Sequence, residues 1–357
     1  MKITNIIKVL ALLPLLASCD DLFEPANENI RGIDAMYEEP SYAQGVLANA
    51  YILLPYSSAP NTDVATDDAV TNDISNNYLK MATGSWTSNN DPMSQWQARR
   101  NAIQYINLFL DKADSVLWAR DNTIRIMFRD RMKGEAYGLR AVQMFYLLMA
   151  HGGRSADGQL LGVPILTKPE DSNSDFNLPR NTFQDCVDSL LADSKRAIDL
   201  LPMDYGDLNT GDAIPAKYQT KYGVTGIGDY NRICGSHMRG RITARIVEAV
   251  RAQAALLAAS PAYSDGTKID YAKAADYAAT VLDRINGVSG LSATGGTWYC
   301  NASEISALAG GTVPAEIIWR GDMSDNNDLE TSNFPPSIYG KGRVNPTQNL
   351  VDAFSMA

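Results

Sequence analysis

The sequence of 357 residues is long enough to form one large domain or two, and its 45% hydrophobic and 20% charged residues are typical of a globular protein. Its formal net charge of −10 argues against nucleic acid as a ligand, because the phosphate backbone is bound by basic surfaces. This negative charge does not exclude uncharged ligands.

The first 19 residues carry the most specific local signal in the chain. Lys2 and Lys8 give a positively charged start, residues 9–17 form a short apolar run, and small residues precede Cys19. This run is too short to cross a bilayer, which takes about 20 apolar residues. A bacterial lipoprotein signal, in which Cys19 becomes the lipidated first residue, is favoured over an ordinary secretory signal with a chance cysteine.

The lipoprotein interpretation divides the chain into three segments. We expect residues 1–18 to be a signal peptide, 19–40 a lipidated tether, and 41–357 one mainly helical domain. Acyl chains such as palmitate on Cys19 would anchor the protein to a membrane without spanning it.

Three further cysteines, Cys186, Cys234 and Cys300, have no C-x-x-C spacing and no His-rich surroundings. This pattern argues against both a zinc site and a disulfide framework. One disulfide among the three is compatible with an exported protein, but the sequence does not select the pair, and an odd number leaves at least one thiol free.

Apolar residues at helical spacing predict a series of helices. The helix 123–151 is apolar on nearly every face after Leu139, which is typical of a buried helix at the centre of a stack. Trp96 and Trp118 fall on helical faces and are assigned to the core. Recurring helix pairs rich in small residues are typical of tetratricopeptide-type repeats. The predicted helices span residues 41–54, 96–118, 123–151, 182–201, 242–260, 271–285 and 346–356.

Three polar segments, 56–92, 203–240 and the stretch from residue 286 to the helix predicted at 346–356, lack this periodicity and are predicted to be irregular. The first and third contain aromatic and acidic residues that are candidates for ligand binding. Sugar rings present C–H faces that stack on aromatic side chains, and carboxylates beside them accept hydroxyl hydrogen bonds. Packing in the core is the alternative for each aromatic. The candidates are Asp67, Asp68, Tyr78, Trp86, Trp298, Tyr299 and Tyr339.

The sequence contains no established catalytic, cofactor or metal motif. His151, one of two histidines, lies at the end of a predicted buried helix, where a hydrogen-bonded structural histidine is favoured over a catalytic one. Residues 235–240 have the glycine spacing of a phosphate loop, but Arg241 and Ile242 stand where Lys and Ser or Thr are required. Residue spacing does not support a glycosidase carboxylate pair either. We therefore expect no catalytic residue, no metal and no cofactor.

Several pieces of the chain occur in an order that resembles the SusD/RagB outer-membrane lipoproteins of Bacteroidetes. They are the lipobox at Cys19, residues 45–51, Gly134-Glu135-Ala136, Leu139-Arg140-Ala141, Phe145-Tyr146, Gly152-Gly153 with Val163-Pro164, Arg180-Asn181-Thr182, and residues 345–351. The resemblance implies a mostly α fold, in which four tetratricopeptide-like helix pairs form a scaffold beneath a loop-rich ligand-binding face. Family members continue beyond the segment that ends at residue 351, so we expect a chain truncated at its C-terminus.

The resemblance also implies a function. Family members capture glycans, or peptides in some branches, on the cell surface and form a lid over a SusC-like TonB-dependent transporter. We therefore predict an outer-membrane lipoprotein that captures an oligo- or polysaccharide and delivers it to such a transporter. One alternative is a peptide-binding or protein-docking helical-repeat lipoprotein, since helix-pair arrays commonly bind polypeptides, and another is a glycoside hydrolase.

Overall fold

The computed structural model describes residues 32–55, 62–87, 89–292, 301–309, 314–321 and 326–355. The described chain is mainly helical when its short 3-10 turns are counted with the α-helices, as the sequence predicts. The helices are α1 (Pro40–Ile52), α2 (Leu79–Ala82), α3 (Trp96–Lys112), α4 (Asn122–His151), α5 (Phe183–Leu200), α6 (Ala216–Tyr222), α7 (Ile227–Cys234), α8 (Ala244–Ala259), α9 (Tyr271–Asp283), α10 (Ala302–Ala309), α11 (Asp328–Asn333) and α12 (Gln348–Ser355).

Four short strands form two antiparallel pairs within the described residues. Strand β1 (Ala69–Thr71) pairs with β4 (Val344–Pro346), and β2 (Gly153–Arg154) pairs with β3 (Leu160–Leu161). Among the described helices, none combines the length and the apolarity that crossing a membrane requires. The predicted signal peptide and Cys19 lie outside the described residues.

Successive long helices pack as pairs, which is the arrangement expected of tetratricopeptide-like repeats. In the part of the chain that the structure describes, α1 contacts α3, α4 contacts α5, and α8 contacts α9. Helix α4 also contacts α3 and α8, and nearly all its residues from 130 to 148 are buried. The predicted central position of this helix is therefore confirmed.

Small residues on α4 allow its neighbours to approach closely. A Cβ atom added to Gly134 would lie 2.9 Å from Leu200 Cβ at the end of α5. One added to Gly138 would lie 2.9 Å from Val247 Cγ2 on α8. Because real Cβ contacts are not this short, either substitution would force the helices apart, and close packing in this core depends on the two glycines.

A buried polar cluster also joins the helices. The Arg140 guanidinium on α4 donates two hydrogen bonds to the Asp193 carboxylate on α5, at 2.6 and 2.9 Å, and a third to Asn107 Oδ1 on α3 at 2.8 Å. The amide nitrogen of Asn107 in turn donates to the carbonyls of Leu166 and Lys168. Each charged group is thus paired, which is the condition under which buried charges are tolerated.

The two tryptophans assigned to the core differ in their surroundings. Helix α3 ends at Lys112, and Trp118 follows in a turn where its indole N–H donates to the Ala113 carbonyl at 2.9 Å. Trp118 is 6% exposed, so its core assignment is confirmed. Trp96 is 40% exposed at the start of α3, with its ring edge-on to His151, so its core assignment is wrong. Few residues cover the first turn of α3, which helical periodicity does not reveal.

The segment 203–240 is folded, and the prediction that it is irregular is wrong. It forms α6 and α7, whose aromatic residues build a second, smaller core against the first turns of α4. These helices span only 7 and 8 residues, which is too short for an apolar period to stand out. The buried residues of this cluster are Ile124, Met127, Tyr205, Ile214, Tyr218, Val224, Tyr230, Ile233 and Cys234.

The described cysteines are free thiols. Cys186 lies in the main core and Cys234 in the smaller one, and both are buried and unpaired. Burial raises the pKa of each thiol to about 11, so both remain protonated at neutral pH. The remaining cysteine of the sequence, Cys300, lies outside the described residues.

Replacing Leu147 with Asp is expected to unfold the protein. The Leu147 side chain is fully buried in the main core, and a carboxylate there would have no partner. We expect a loss of more than about 4 kcal/mol in the free energy of unfolding, measured by urea denaturation. Met149→Asp is the matched control on the same helix, because Met149 is 45% exposed. Similar losses in the two variants would contradict the central position of α4.

Candidate ligand-binding surface

Two polar segments far apart in sequence form one unit through the β1–β4 pairing. We call residues 62–87 together with 326–347 the β1–β4 unit. Besides the strand pairing, Asn72 Nδ2 donates to the Lys341 carbonyl at 3.0 Å, and the Arg343 guanidinium donates to Asn72 Oδ1 at 3.2 Å. The unit therefore brings the first and third polar segments of the sequence together.

Asp67 and Asp68 lie at the edge of this unit with exposed side chains. Their backbone carbonyls accept hydrogen bonds from Thr347, whose hydroxyl bonds to Asp67 and whose N–H bonds to Asp68 at 2.8 Å. Because the main chain makes these contacts, both carboxylates remain available to a ligand. Asp67 also lines a cavity of about 420 Å³ between the two segments, with Val70, Leu79 and Asn349.

The candidate aromatics of the β1–β4 unit are exposed to different extents. The Trp86 side chain is 53% exposed and that of Tyr339 is 96% exposed, so neither is a core residue. Tyr78 is half-buried immediately before α2. None of the three lines the 420 Å³ cavity. The other two aromatic candidates, Trp298 and Tyr299, lie outside the described residues.

The backbone holds Tyr339 in a conformation that a tyrosine does not prefer. Its φ of 69° is in the left-handed region, which costs a residue other than glycine about 1–2 kcal/mol. Neighbouring hydrogen bonds maintain this turn: Gly340 N–H donates to the Pro335 carbonyl at 3.1 Å, and Lys341 N–H donates to the Thr331 carbonyl at 3.0 Å. The turn thus fixes the backbone from which the exposed ring projects into solvent.

Hydrogen bonds also fix the segment that carries Trp86. The Lys80 ammonium donates to Asn77 Oδ1 at 3.0 Å and to Asn90 Oδ1 at 2.7 Å, which ties α2 to the turn after Trp86. Ser85 N–H donates to the Lys80 carbonyl at 2.9 Å. A prearranged ring loses less conformational entropy when it binds a ligand.

A second cavity, of about 410 Å³, lies where the segment 314–321 packs against the start of α8. We call it the arginine cavity, because four arginines line it together with Trp319. The Trp319 indole N–H donates to the Gly240 carbonyl at 2.9 Å, which holds the ring on the wall. The arginines are Arg239, Arg241, Arg245 and Arg320.

A fully buried carboxylate, that of Glu135 on α4, lies behind this cavity. Its Oε2 atom accepts hydrogen bonds from the Tyr51 hydroxyl at 2.7 Å and from Arg241 Nη1 at 3.1 Å. Its Oε1 atom accepts from Arg131 and, at 3.5 Å, from the Tyr205 hydroxyl. Burial, together with the negative charge of Glu135, raises the pKa of Tyr51 well above its usual value, so the phenol remains a donor.

The sequence analysis did not identify the arginine cavity. A cluster of positive charge in this acidic chain could have indicated it, because four arginines fall within 14 residues: Arg232, Arg239, Arg241 and Arg245. The glycine spacing of this stretch suggested only a phosphate loop. In the structure α7 precedes residues 235–240 in place of a strand, so the phosphate-loop geometry is absent there, as expected.

His151 is hydrogen-bonded, as predicted for a structural histidine. Its Nε2 atom accepts a hydrogen bond from the Gln95 backbone N–H at 3.0 Å. Burial lowers the pKa of this imidazole below its usual value, which favours the neutral ring that can accept this bond. Across the described residues, no group of three or more His, Cys, Asp and Glu side chains is arranged to hold a metal ion.

Comparison with known proteins links the chain to one family. Residues 39–214 match the family model named SusD-like, which is described as starch-binding and associating with the outer membrane. Among proteins of curated function, none matches the sequence significantly.

Solved structures share the fold at low sequence identity. A SusD-like protein from Bacteroides fragilis has a TM-score of 0.61 and 16% identity, covering 92% of this chain and 55% of its own. A SusD-like carbohydrate-binding protein from the same species has a TM-score of 0.54 and 18% identity over 88% and 53% of the two chains. A SusD superfamily protein from Bacteroides thetaiotaomicron has a TM-score of 0.54 and 16% identity, covering 88% of this chain and 61% of its own. The chain thus spans between half and two thirds of these relatives.

Replacing Glu135 with Gln is expected to destabilise the fold strongly. The substitution removes the only carboxylate that pairs with Arg131 within the described residues, and the Arg131 side chain is 2% exposed. Breaking a buried pair costs about 3–5 kcal/mol, which urea denaturation would measure. Asp199→Asn is the control, because the Lys195–Asp199 pair is exposed and is expected to contribute at most about 1 kcal/mol. Equal losses in the two variants would contradict the structural role of Glu135.

Proposed function

We propose that this chain, which belongs to the SusD/RagB family, is a non-catalytic lipoprotein of the outer membrane that captures glycan at the cell surface and passes it to a SusC-like TonB-dependent transporter. The observation that carries the glycan-binding proposal is the exposure of Trp86 and Tyr339 on the β1–β4 unit. The starch-binding description of the matching family supports it.

The chemistry of the β1–β4 unit suits a sugar. An exposed indole and an exposed phenol offer flat apolar faces for the C–H groups of sugar rings. Asp67 and Asp68 add exposed carboxylates that accept hydrogen bonds from hydroxyl groups. Since hydrogen bonds within the unit fix the backbone of both aromatic turns, binding would order mainly the two side chains.

The proposal also includes attachment to the membrane and transfer of the glycan to a transporter. The small residues before Cys19 support lipidation, and the family description supports association with the outer membrane. Lipidation of Cys19 would leave the helical domain outside the bilayer, where it can meet both polymer and transporter.

Alanine substitution of Trp86 or Tyr339 is expected to weaken glycan binding. Each variant removes one stacking face, and we expect a loss of about 1.4 kcal/mol, which is about tenfold in affinity. Affinity electrophoresis in gels that contain a panel of neutral polysaccharides, starch included, would measure the effect.

The matched control for this experiment is Tyr271→Ala, because Tyr271 is an exposed aromatic on α9. Full affinity in the Trp86 and Tyr339 variants, or an equal loss in the Tyr271 variant, would contradict the assignment to the β1–β4 unit. Retention by a peptide library with no response to any glycan would favour the peptide-binding alternative.

Replacing Cys19 with Ala is expected to release the protein from the membrane, because this thiol is the proposed attachment point of the acyl chains. Labelling of cells with radioactive palmitate and fractionation of their membranes would measure the change. The control is Cys186→Ala, since that thiol is buried in the helical core. Unchanged labelling of the Cys19 variant would rule out lipidation at this position.

A further inference from the structure

We infer that the arginine cavity is a second ligand site, which binds an acidic saccharide through an oxyanion carried on a sugar ring. The inference rests on the proposed glycan-binding function and names a chemical class of glycan for it. The site is separate from the β1–β4 unit, since the two cavities share no lining residue.

The lining of the cavity concentrates positive charge. Four arginines line this cavity in a chain whose net charge is −10, and Asp204 is the one acidic residue among its described lining residues. Gathering like charges in one depression is unfavourable in the free protein, and an anion in the cavity would offset that repulsion. The planar guanidinium fork matches both carboxylate and sulfate oxygens.

Two of these arginines already have partners within the protein. The Arg241 guanidinium is bound to Glu135, and Arg245 donates to the carbonyls of Ala315 and Ile317 and lies 3.8 Å from Asp204. Structural roles therefore account for these two.

Among the described residues, the other two arginines have no acid within ion-pair distance. Arg320 donates to the backbone carbonyls of Leu308 and Gly321, at 3.3 and 3.4 Å. Arg239 is exposed at the rim of the cavity. In the described part of the chain neither forms an ion pair. Arg239 lies near enough to the Asp207 carboxylate to contribute to the lowered pKa of that group, so its charge is partly balanced, whereas Arg320 has no described acid beside it.

The N-terminus of helix α8 lies at the wall of the cavity. This 16-residue helix begins at the cavity, where Thr243, Arg245 and Ile246 form part of the wall. The Thr243 hydroxyl caps the helix by accepting from the Ile246 N–H at 3.3 Å. The partial positive charge of a helix N-terminus adds to that of the arginines and favours an anion here.

The apolar wall of the cavity favours an anion that is carried on a sugar ring. One side of the cavity is apolar and aromatic, with Trp319 held in place by its bond to Gly240 and with Ile317 and Ile318 beside it. A small inorganic anion makes no use of such a wall, whereas a sugar ring stacks its C–H face on an indole. The volume of about 410 Å³ falls within the range of about 300–1,000 Å³ that is typical of small-ligand sites.

The acidic surface of the protein is compatible with an anionic ligand. Exposed charges are screened beyond about 8 Å at physiological ionic strength. At the cavity itself, the potential is therefore set mainly by the arginines that have no described ion-pair partner, Arg239 and Arg320.

The test compares an acidic oligosaccharide with its neutral counterpart. The probes are trigalacturonic acid and the same trisaccharide after reduction of its carboxyl groups, titrated into the protein by isothermal calorimetry. We expect wild type to bind the acid at least tenfold more tightly, with an affinity that falls as salt rises. The double variant Arg239→Gln with Arg320→Gln should lose this preference.

Three controls separate charge recognition from a loss of folding. Arg120→Gln removes an exposed arginine outside the cavity and should keep the preference. Arg320→Lys keeps the positive charge and should retain part of the preference. Each variant should melt at the wild-type temperature. The single variant Arg239→Gln removes only an exposed side chain that is not needed for packing, so a loss of preference in it cannot come from unfolding.

Two further probes identify the oxyanion and its carrier. A sulfated disaccharide that binds with the same dependence on Arg239 and Arg320 would support the site and assign it to sulfate esters. Inorganic sulfate binding as tightly as either saccharide would overturn the sugar assignment. Arginine-dependent binding of an acidic peptide, without binding of any acidic saccharide, would overturn it too.

Equal affinity of wild type for the acidic and neutral trisaccharides, together with no arginine-dependent binding of the sulfated disaccharide, would overturn the inference, as would a preference that survives in the double variant. Failure here is distinguishable from failure of the proposed function. The Trp86 and Tyr339 variants should lose neutral polysaccharide while keeping the preference for the acid, whereas the arginine variants should do the reverse.

Discussion

The buried carboxylate of Glu135 is the constraint on which the rest of the structure depends. An ion taken out of water at the centre of a helical stack costs several kcal/mol unless its oxygens are fully paired. Tyr51 on α1, Arg131 on α4, and Tyr205 and Arg241 from the segment after α5 provide that pairing. One carboxylate therefore sets the relative positions of two helices, the smaller core and a wall of the arginine cavity.

The buried charges and the ligand-facing charges differ in how they are paired. Arg140 and Asp193 neutralise each other inside the stack, and their hydrogen bonds orient three helices. Arg239 and Arg320, by contrast, sit where the scaffold meets the segment 314–321, and no described acid pairs with them. Rigid helices thus support sites built almost entirely from the connecting segments, which is where binding residues concentrate in many folds.

Sequence reasoning predicted the scaffold well and the sites only in part. The helix 122–151 was predictable because its apolar residues repeat over 30 positions, and α5 because Thr182 caps its start. Periodicity identifies a helix but not how far its neighbours extend, so it placed the exposed Trp96 in the core.

The ligand-facing residues were harder to predict because they come from separate parts of the chain. Trp86 and Tyr339 stood out as aromatics in polar segments, and the structure leaves both exposed. The arginine cavity joins residues 239–246 to 314–321, a contact made only in the folded chain.

The pairing of β1 with β4 has a kinetic consequence, because Asn72 and Lys341 are 269 positions apart. Neighbouring helices can pair early during synthesis, whereas closing so long a loop is slow, so we expect the proposed glycan face to form after the helical scaffold.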